Sequence, residues 1–120
     1  MGKYNDLIGY KKAYALAMKI FEITKRFPPE EKYELTGQIR RASRSVCANM
    51  AEGYKRRRYK AYFLSKLNDC ETENCETDVW LNFSFDCKYI TMQEFTEMIN
   101  DNNEVARLIS YMLSNPEKFM

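Results

Sequence analysis

No histidine occurs among the 120 residues, and that absence removes more chemistry than any other feature of the chain. Histidine is the usual general base near neutral pH and the commonest metal-binding side chain. A Ser-His-Asp or Cys-His site within one chain is therefore excluded, as are the Glu-x-x-His pairs of ferritin-type di-iron bundles. A zinc site would need four thiolates or carboxylates. The four cysteines, Cys47, Cys70, Cys75 and Cys87, make no C-x-x-C pair. Their spacings suit no zinc motif, so they read as isolated, reduced, semi-buried thiols. The expectation is a protein that is not an enzyme and holds no metal or cofactor.

Glycine and proline are also scarce, at four and three residues, so no linker or low-complexity tract divides the chain. No run of roughly 18 apolar residues is present, and the opening segment MGKYNDLIGYKK lacks the apolar core of a signal peptide. A soluble, cytoplasmic protein without a membrane partner is expected. Gly2 is not read as a myristoylation site, because Asp6 stands where Ser or Thr is needed. A folded surface of about 6,800 Å² against about 21,000 Å² unfolded suits one domain over residues 1–120 and no second.

What the chain does have is helical periodicity, in four blocks. The first spans about 7–27, with Ala13, Leu16, Ala17, Ile20, Ile23 and Phe27 on one stripe. Phe27-Pro28-Pro29 stops it, since neither proline can continue the backbone ladder. The second, about 33–53, carries Leu35, Ile39, Ala42, Val46 and Met50 as a seam and ends near Gly53. The third, about 59–87, is less regular: Asn74 interrupts the stripe, and Asn68 to Asp78 is its weakest stretch. The fourth, about 92–114, opens on Thr91 and Glu94, which have the form of a capping box, and keeps Asn102 in the centre of its stripe. With short connections of roughly three to seven residues, the pattern predicts an all-α, up-down-up-down antiparallel four-helix bundle.

Charge is segregated behind a net of +2. Residues 36–62 hold eight basic side chains, Arg40, Arg41, Arg44, Lys55, Arg56, Arg57, Arg58 and Lys60, against Glu52 alone, whereas residues 63–120 hold eleven acidic and four basic. Arginines 40, 41 and 44 project away from the apolar seam, and the Lys55 to Lys60 run follows at the helix end. Such density suits a phosphate-backbone contact surface, with Tyr54, Tyr59 and Tyr62 available to stack on unpaired bases. The other reading is a solvated basic face paired with acidic residues of the third helix or of another subunit. Asp69, Glu73 and Glu76 share one helical face and suit such a dock better than a metal ion. On the first helix, Tyr10, Tyr14 and Phe21 form a second apolar flank beyond the core stripe, which suits a subunit interface.

The segments Phe27-Pro28-x-Glu30-Glu31, Leu35-Thr36-x-Gln38-Ile39-Arg40-Arg41-Ala42 and Ser45-x-x-x-Asn49-x-Ala51-Glu52-Gly53 resemble the signature of the small bacterial four-helix bundle proteins encoded by intervening sequences of 23S ribosomal RNA genes, also labelled S23 ribosomal proteins. The resemblance covers about the first half of the chain. It implies a ring-like homopentamer of antiparallel four-helix bundles, distantly akin to the accessory variability determinant of diversity-generating retroelements, a basic pentamer that binds a reverse transcriptase and nucleic acid. Arg40, Arg41, Asn49, Glu52, Gly53, Arg56 and Arg57 are the signature positions carried over, and no catalytic residue comes with them. Cys47, Lys55 and Tyr10 depart from that signature, standing where it often has Pro, Gly and Trp. Asn49 and Glu52 also have a purely structural reading, as caps where the second helix ends at Gly53.

The leading expectation is thus an oligomeric nucleic-acid-binding or ribonucleoprotein accessory protein, with RNA, DNA, a reverse transcriptase or a ribosomal component as partner. The alternative is a homo-oligomeric interaction scaffold whose basic segment is neutralised by its own acidic half.

Overall fold

A computed structural model describes residues 2–120. Four helices, α1 (Ile8–Thr24), α2 (Leu35–Lys55), α3 (Lys60–Asp86) and α4 (Met92–Ser114), are flanked by 3-10 turns at Tyr4–Asp6, Pro29–Glu31 and Pro116–Phe119. Each helix packs on its sequence neighbours, and α1 also closes onto α4, giving the up-down-up-down antiparallel bundle. No strand occurs among the described residues. The molecule measures 44 × 25 × 20 Å and exposes 7136 Å². Among the described residues, no helix is long and apolar enough to cross a membrane.

Three element boundaries differ from the sequence expectation, each for a local reason. Helix α1 ends at Thr24 rather than Phe27. The N–H groups of Lys25, Arg26 and Phe27 turn to carbonyls three residues back, at 3.3, 3.3 and 3.1 Å, because the residue before Pro28 disfavours the helical conformation. Phe27 then serves as a buried anchor, 5.2 Å from the Tyr89 ring. The Pro29–Glu31 turn delays α2 to Leu35, so the α1–α2 connection is longer than expected.

At its other end, α2 runs through Gly53 to Lys55. Gly53 is not a helix stop. A Cβ there would lie 2.8 Å from Lys66 Cβ and 3.4 Å from Phe63 Cδ1, so the missing side chain lets α2 and α3 approach. The capping role considered for Asn49 and Glu52 falls with it. Asn49 Nδ2 donates to the Ser45 carbonyl one turn back at 2.9 Å, and Glu52 pairs with Lys66 at 3.0 Å.

Helix α3 is continuous through Asn68 to Asp78. Asn74, the residue that interrupts its stripe, is buried against Asn102 of α4. Asn74 Nδ2 donates to Asn102 Oδ1 at 2.9 Å and to the Asn102 carbonyl at 3.3 Å, and Asn102 Nδ2 donates back to the Asn74 carbonyl at 3.1 Å. With Ser43 and Thr77 the pair borders a void of about 10 Å³. This polar layer lies between two apolar clusters, one around Met50, Phe63, Leu67 and Ile109 and one around Leu16, Ile20, Ile39 and Leu81.

Helix α4 spans the expected 92–114, opened by the expected capping box. Glu94 N–H donates to Thr91 Oγ1 at 3.1 Å, and the Thr91 N–H donates to Glu94 Oε1 at 2.8 Å. Glu94 also pairs with Arg26 of the α1–α2 connection. That guanidinium, with help from the Thr91 N–H, holds the Glu94 carboxyl down at about 2.

Candidate nucleic-acid interface

The antiparallel topology brings the α2–α3 turn, the N-terminal segment and the C-terminal turn to one end of the bundle. Gly2 lies beside the Tyr54 hydroxyl, and Lys60 Nζ pairs with Glu117 at 2.9 Å. At the opposite end, Tyr89 of the α3–α4 connection donates its hydroxyl to Glu31 at 2.8 Å. The basic run Lys55 to Lys60 therefore crowns one pole.

The eight expected cations divide by what holds them. Arg41 is neutralised at home, its two terminal nitrogens donating to Glu73 at 3.3 Å and Glu76 at 2.7 Å of α3. Two members of the acidic set on α3 are thus a dock for an arginine. Lys60 is likewise taken by Glu117. Arg40 is half-buried rather than projecting freely: its Nε donates to Thr24 Oγ1 at 2.8 Å and Nη2 to the Phe21 carbonyl at 3.4 Å. It thereby ties the frayed end of α1 to α2.

Arg44, Lys55, Arg56, Arg57 and Arg58 have no carboxylate within 4.0 Å among the described residues. The four arginines rest instead on aromatic rings. Guanidinium-to-centroid distances are 3.9 Å for Arg57 over Tyr54, 4.8 Å for Arg58 over Tyr59, 5.9 Å for Arg56 over Tyr62 and 5.5 Å for Arg44 over Phe21. A ring quadrupole orders a guanidinium without cancelling its charge.

This arrangement changes the part given to the tyrosines. Tyr54 is buried and carries Arg57 on its ring, so it offers no free face to a base. Tyr59 and Tyr62 are exposed, but each already lies beneath an arginine.

The three residues expected at a subunit interface separate in the same way. Phe21 is half-buried beneath Lys25, Arg40 and Arg44, so its ring faces cations rather than an open surface. Tyr10 and Tyr14 pack on each other at 6.0 Å and, with Met18, line one wall of a groove of about 400 Å³ whose other wall is Cys47, Ala48 and Ala51 of α2. Tyr14 is 52% exposed. The sequence does not mark the small residues of α2 that open this groove as interface residues, because alanine in a stripe carries no signal of which side it faces.

The cysteines do not form one class. Cys47 and Cys70 are buried, Cys75 and Cys87 exposed. Burial pushes the Cys47 thiol up to about 11 and the Cys70 thiol to about 12, so neither is a ready nucleophile at neutral pH.

The 23S rRNA-intervening sequence protein family profile matches residues 5–111, nearly the whole chain. The chain belongs to this family. A crystal structure of a protein with unknown function from the S23 ribosomal protein family of Bacteroides thetaiotaomicron superposes with a TM-score of 0.80 at 27% identity, covering 89% of this chain and 96% of that one. No curated protein matches the chain. Family membership thus extends the resemblance beyond the first half into α3 and α4, the helices whose sequence reads only as generic amphipathic segments.

Proposed function

We infer that this family member is a non-enzymatic, oligomeric accessory protein of the cytoplasm that grips the phosphate backbone of nucleic acid with the pole formed by the α2–α3 turn. The observation that carries the reading is a set of cations without a carboxylate partner among the described residues, Lys55, Arg56, Arg57 and Arg58 at the pole and Arg44 about three turns down α2 beside the Tyr10–Tyr14 groove. Uncompensated guanidinium groups suit phosphate, which accepts their forked donors, and they carry no base preference of their own. Arg41 and Lys60 are spent on carboxylates of the same chain, and Arg40 is engaged between α1 and α2. The Tyr10–Tyr14 groove is the surface best suited to a second copy, and the family resemblance makes a pentamer the expected ring. Several copies of one basic pole multiply weak contacts on a single strand. A reverse transcriptase or a ribosomal component is the protein partner that this resemblance implies.

Salt titration of duplex binding tests the reading. Neutralising about five phosphates predicts a log-log slope near −4.5, falling by about 2.7 when Arg56, Arg57 and Arg58 become alanine. A flat titration, or binding untouched by the triple substitution, overturns it.

One observation favours the scaffold reading: Arg41 is paired with Glu73 and Glu76 within the chain. If such pairs also bridge subunits, high salt dissociates the oligomer. Light scattering at low and high salt separates the two readings, since a backbone-binding protein keeps its assembly while losing nucleic acid.

A further inference from the structure

At the same pole, a partly open cup shares Lys55 and Arg57 with the set that grips the backbone. The N-terminal segment crosses the end of α2 and leaves a cup of about 510 Å³, walled by Gly2, Lys3 and Tyr4 on one side and by Tyr54, Lys55 and Arg57 on the other. Three cations thus line a space large enough for a nucleotide.

The cup also contains a polar group with nothing to bind. Tyr54 is only 8% exposed, yet its hydroxyl makes no hydrogen bond among the described residues. That hydroxyl sits 3.7 Å from where a Cβ of Gly2 would stand, inside the cup. The ring is buried but the hydroxyl is not among the buried unpaired atoms, so it opens to the cup and is free to donate to a ligand there. Arg57 Nη1 donates to the Tyr54 carbonyl at 2.8 Å, which fixes the guanidinium over the ring and leaves donors unspent, since the group carries five. Lys55 has no carboxylate partner among the described residues. The nearby Asp6 carboxylate, 3.5 Å from where a Cβ of Gly2 would stand, accepts the Lys3 backbone N–H at 3.0 Å.

Resting on the nucleic-acid reading above, we propose that this cup holds the terminal phosphate monoester of a nucleic-acid strand, so that the protein prefers phosphorylated strand ends. The match is one of charge and of acceptor count. An internal phosphodiester carries one charge and two free oxygens, whereas a terminal monoester carries about −1.5 to −2 at neutral pH and three acceptor oxygens. Lys3, Lys55, Arg57 and the Tyr54 hydroxyl supply more donors than a diester can accept, and a monoester uses them. The preference adds at least one charge-assisted hydrogen bond, which corresponds to about a tenfold gain in affinity.

The test is competition against a labelled hydroxyl-ended oligonucleotide, using unlabelled strands of identical sequence that end in hydroxyls, in a 5′-phosphate or in a 3′-phosphate. One or both phosphorylated strands should compete about tenfold better than the hydroxyl-ended strand. The two phosphorylated strands tell which end the cup takes. The advantage should shrink on going from pH 7 to pH 5, as the monoester takes up its second proton near pH 6. Tyr54→Phe keeps the buried ring and removes only the hydroxyl, and Lys3→Ala alters an exposed position; in both, the ratio between phosphorylated and hydroxyl-ended strands should fall toward one. Equal competition by all three strands, with salt-dependent binding intact, overturns the end preference and leaves backbone binding standing. A preference that survives both substitutions overturns the cup as its source. Failure of every strand to bind overturns both proposals together.

Discussion

Replacing Asn74 by leucine tests whether the polar layer is a matched pair or two separate polar residues. Leucine has the same number of side-chain heavy atoms as asparagine, so packing changes little. The hydrogen bonds change unequally. With Asn74 gone, Asn102 Oδ1 loses its donor at 2.9 Å, while Asn102 Nδ2 keeps the Asn74 backbone carbonyl at 3.1 Å. One acceptor on a residue only 2% exposed is then unpaired, at a cost of about 1 to 3 kcal/mol. Asn102→Leu costs less, because Asn74 Nδ2 retains the Asn102 backbone carbonyl at 3.3 Å. The double substitution removes both polar groups and should be more stable than Asn74→Leu alone. Urea unfolding followed by circular dichroism gives all four corners of the cycle, and the expected coupling is about 1 to 2 kcal/mol, a large share of a stability of about 5 to 15 kcal/mol. Additivity to within about 0.5 kcal/mol would refute the matched pair.

Two further substitutions probe the helix junctions. Gly53→Ala gains about 1 kcal/mol in helix propensity but drives a methyl to 2.8 Å from Lys66 Cβ; overpacking of about 1 to 3 kcal/mol should win, lowering Tm, and a raised Tm would contradict the close-approach role. Because Arg26 holds the Glu94 carboxyl near 2, below its ordinary 4.5, the pair stabilises the fold above about pH 4.5 and its contribution disappears as pH falls toward 2. With Arg26 half exposed, Glu94→Gln should cost about 1 kcal/mol at pH 7 and well under half of that at pH 2, where the carboxyl is about half protonated, read from urea midpoints at the two pH values.

The sequence exposed what repeats along a helix and hid what depends on a partner far along the chain. Helix α4 was legible end to end because its capping box and its stripe are both local patterns. Asn68 to Asp78 looked like a weak helix because its polar residues find their partners elsewhere: Asn74 in Asn102 and Glu73 and Glu76 in Arg41. Gly53 gives the same lesson in reverse, since a glycine near the end of a stripe has the same letter whether it stops a helix or admits a neighbour. The cationic surface was visible as a count, but not its division. Arg41 and Arg58 are indistinguishable in composition; the packing of α3 against α2 gives Arg41 two carboxylates, while Arg58 lies over its sequence neighbour Tyr59.

That division sets how the pole should respond to loss of its aromatic rings. Arg56 and Arg58 lie over Tyr62 and Tyr59, and both rings are substantially exposed, so their truncation opens no cavity in the core. An arginine carries about 2 kcal/mol of rotamer entropy, part of which a bound phosphate must otherwise quench. A ring that already holds the guanidinium removes part of that cost before binding, and contacts of this kind are worth about 0.5 to 1 kcal/mol at exposed sites. Tyr59→Ala with Tyr62→Ala should therefore weaken nucleic-acid affinity by about five- to thirtyfold while leaving the salt slope unchanged, because no charge has been removed. Phenylalanine at both positions keeps the rings and should keep the affinity. If alanine instead flattens the slope, the tyrosines were setting where the charges point rather than how freely they move; if it changes neither slope nor affinity, the stacked arginines are not the groups that meet phosphate.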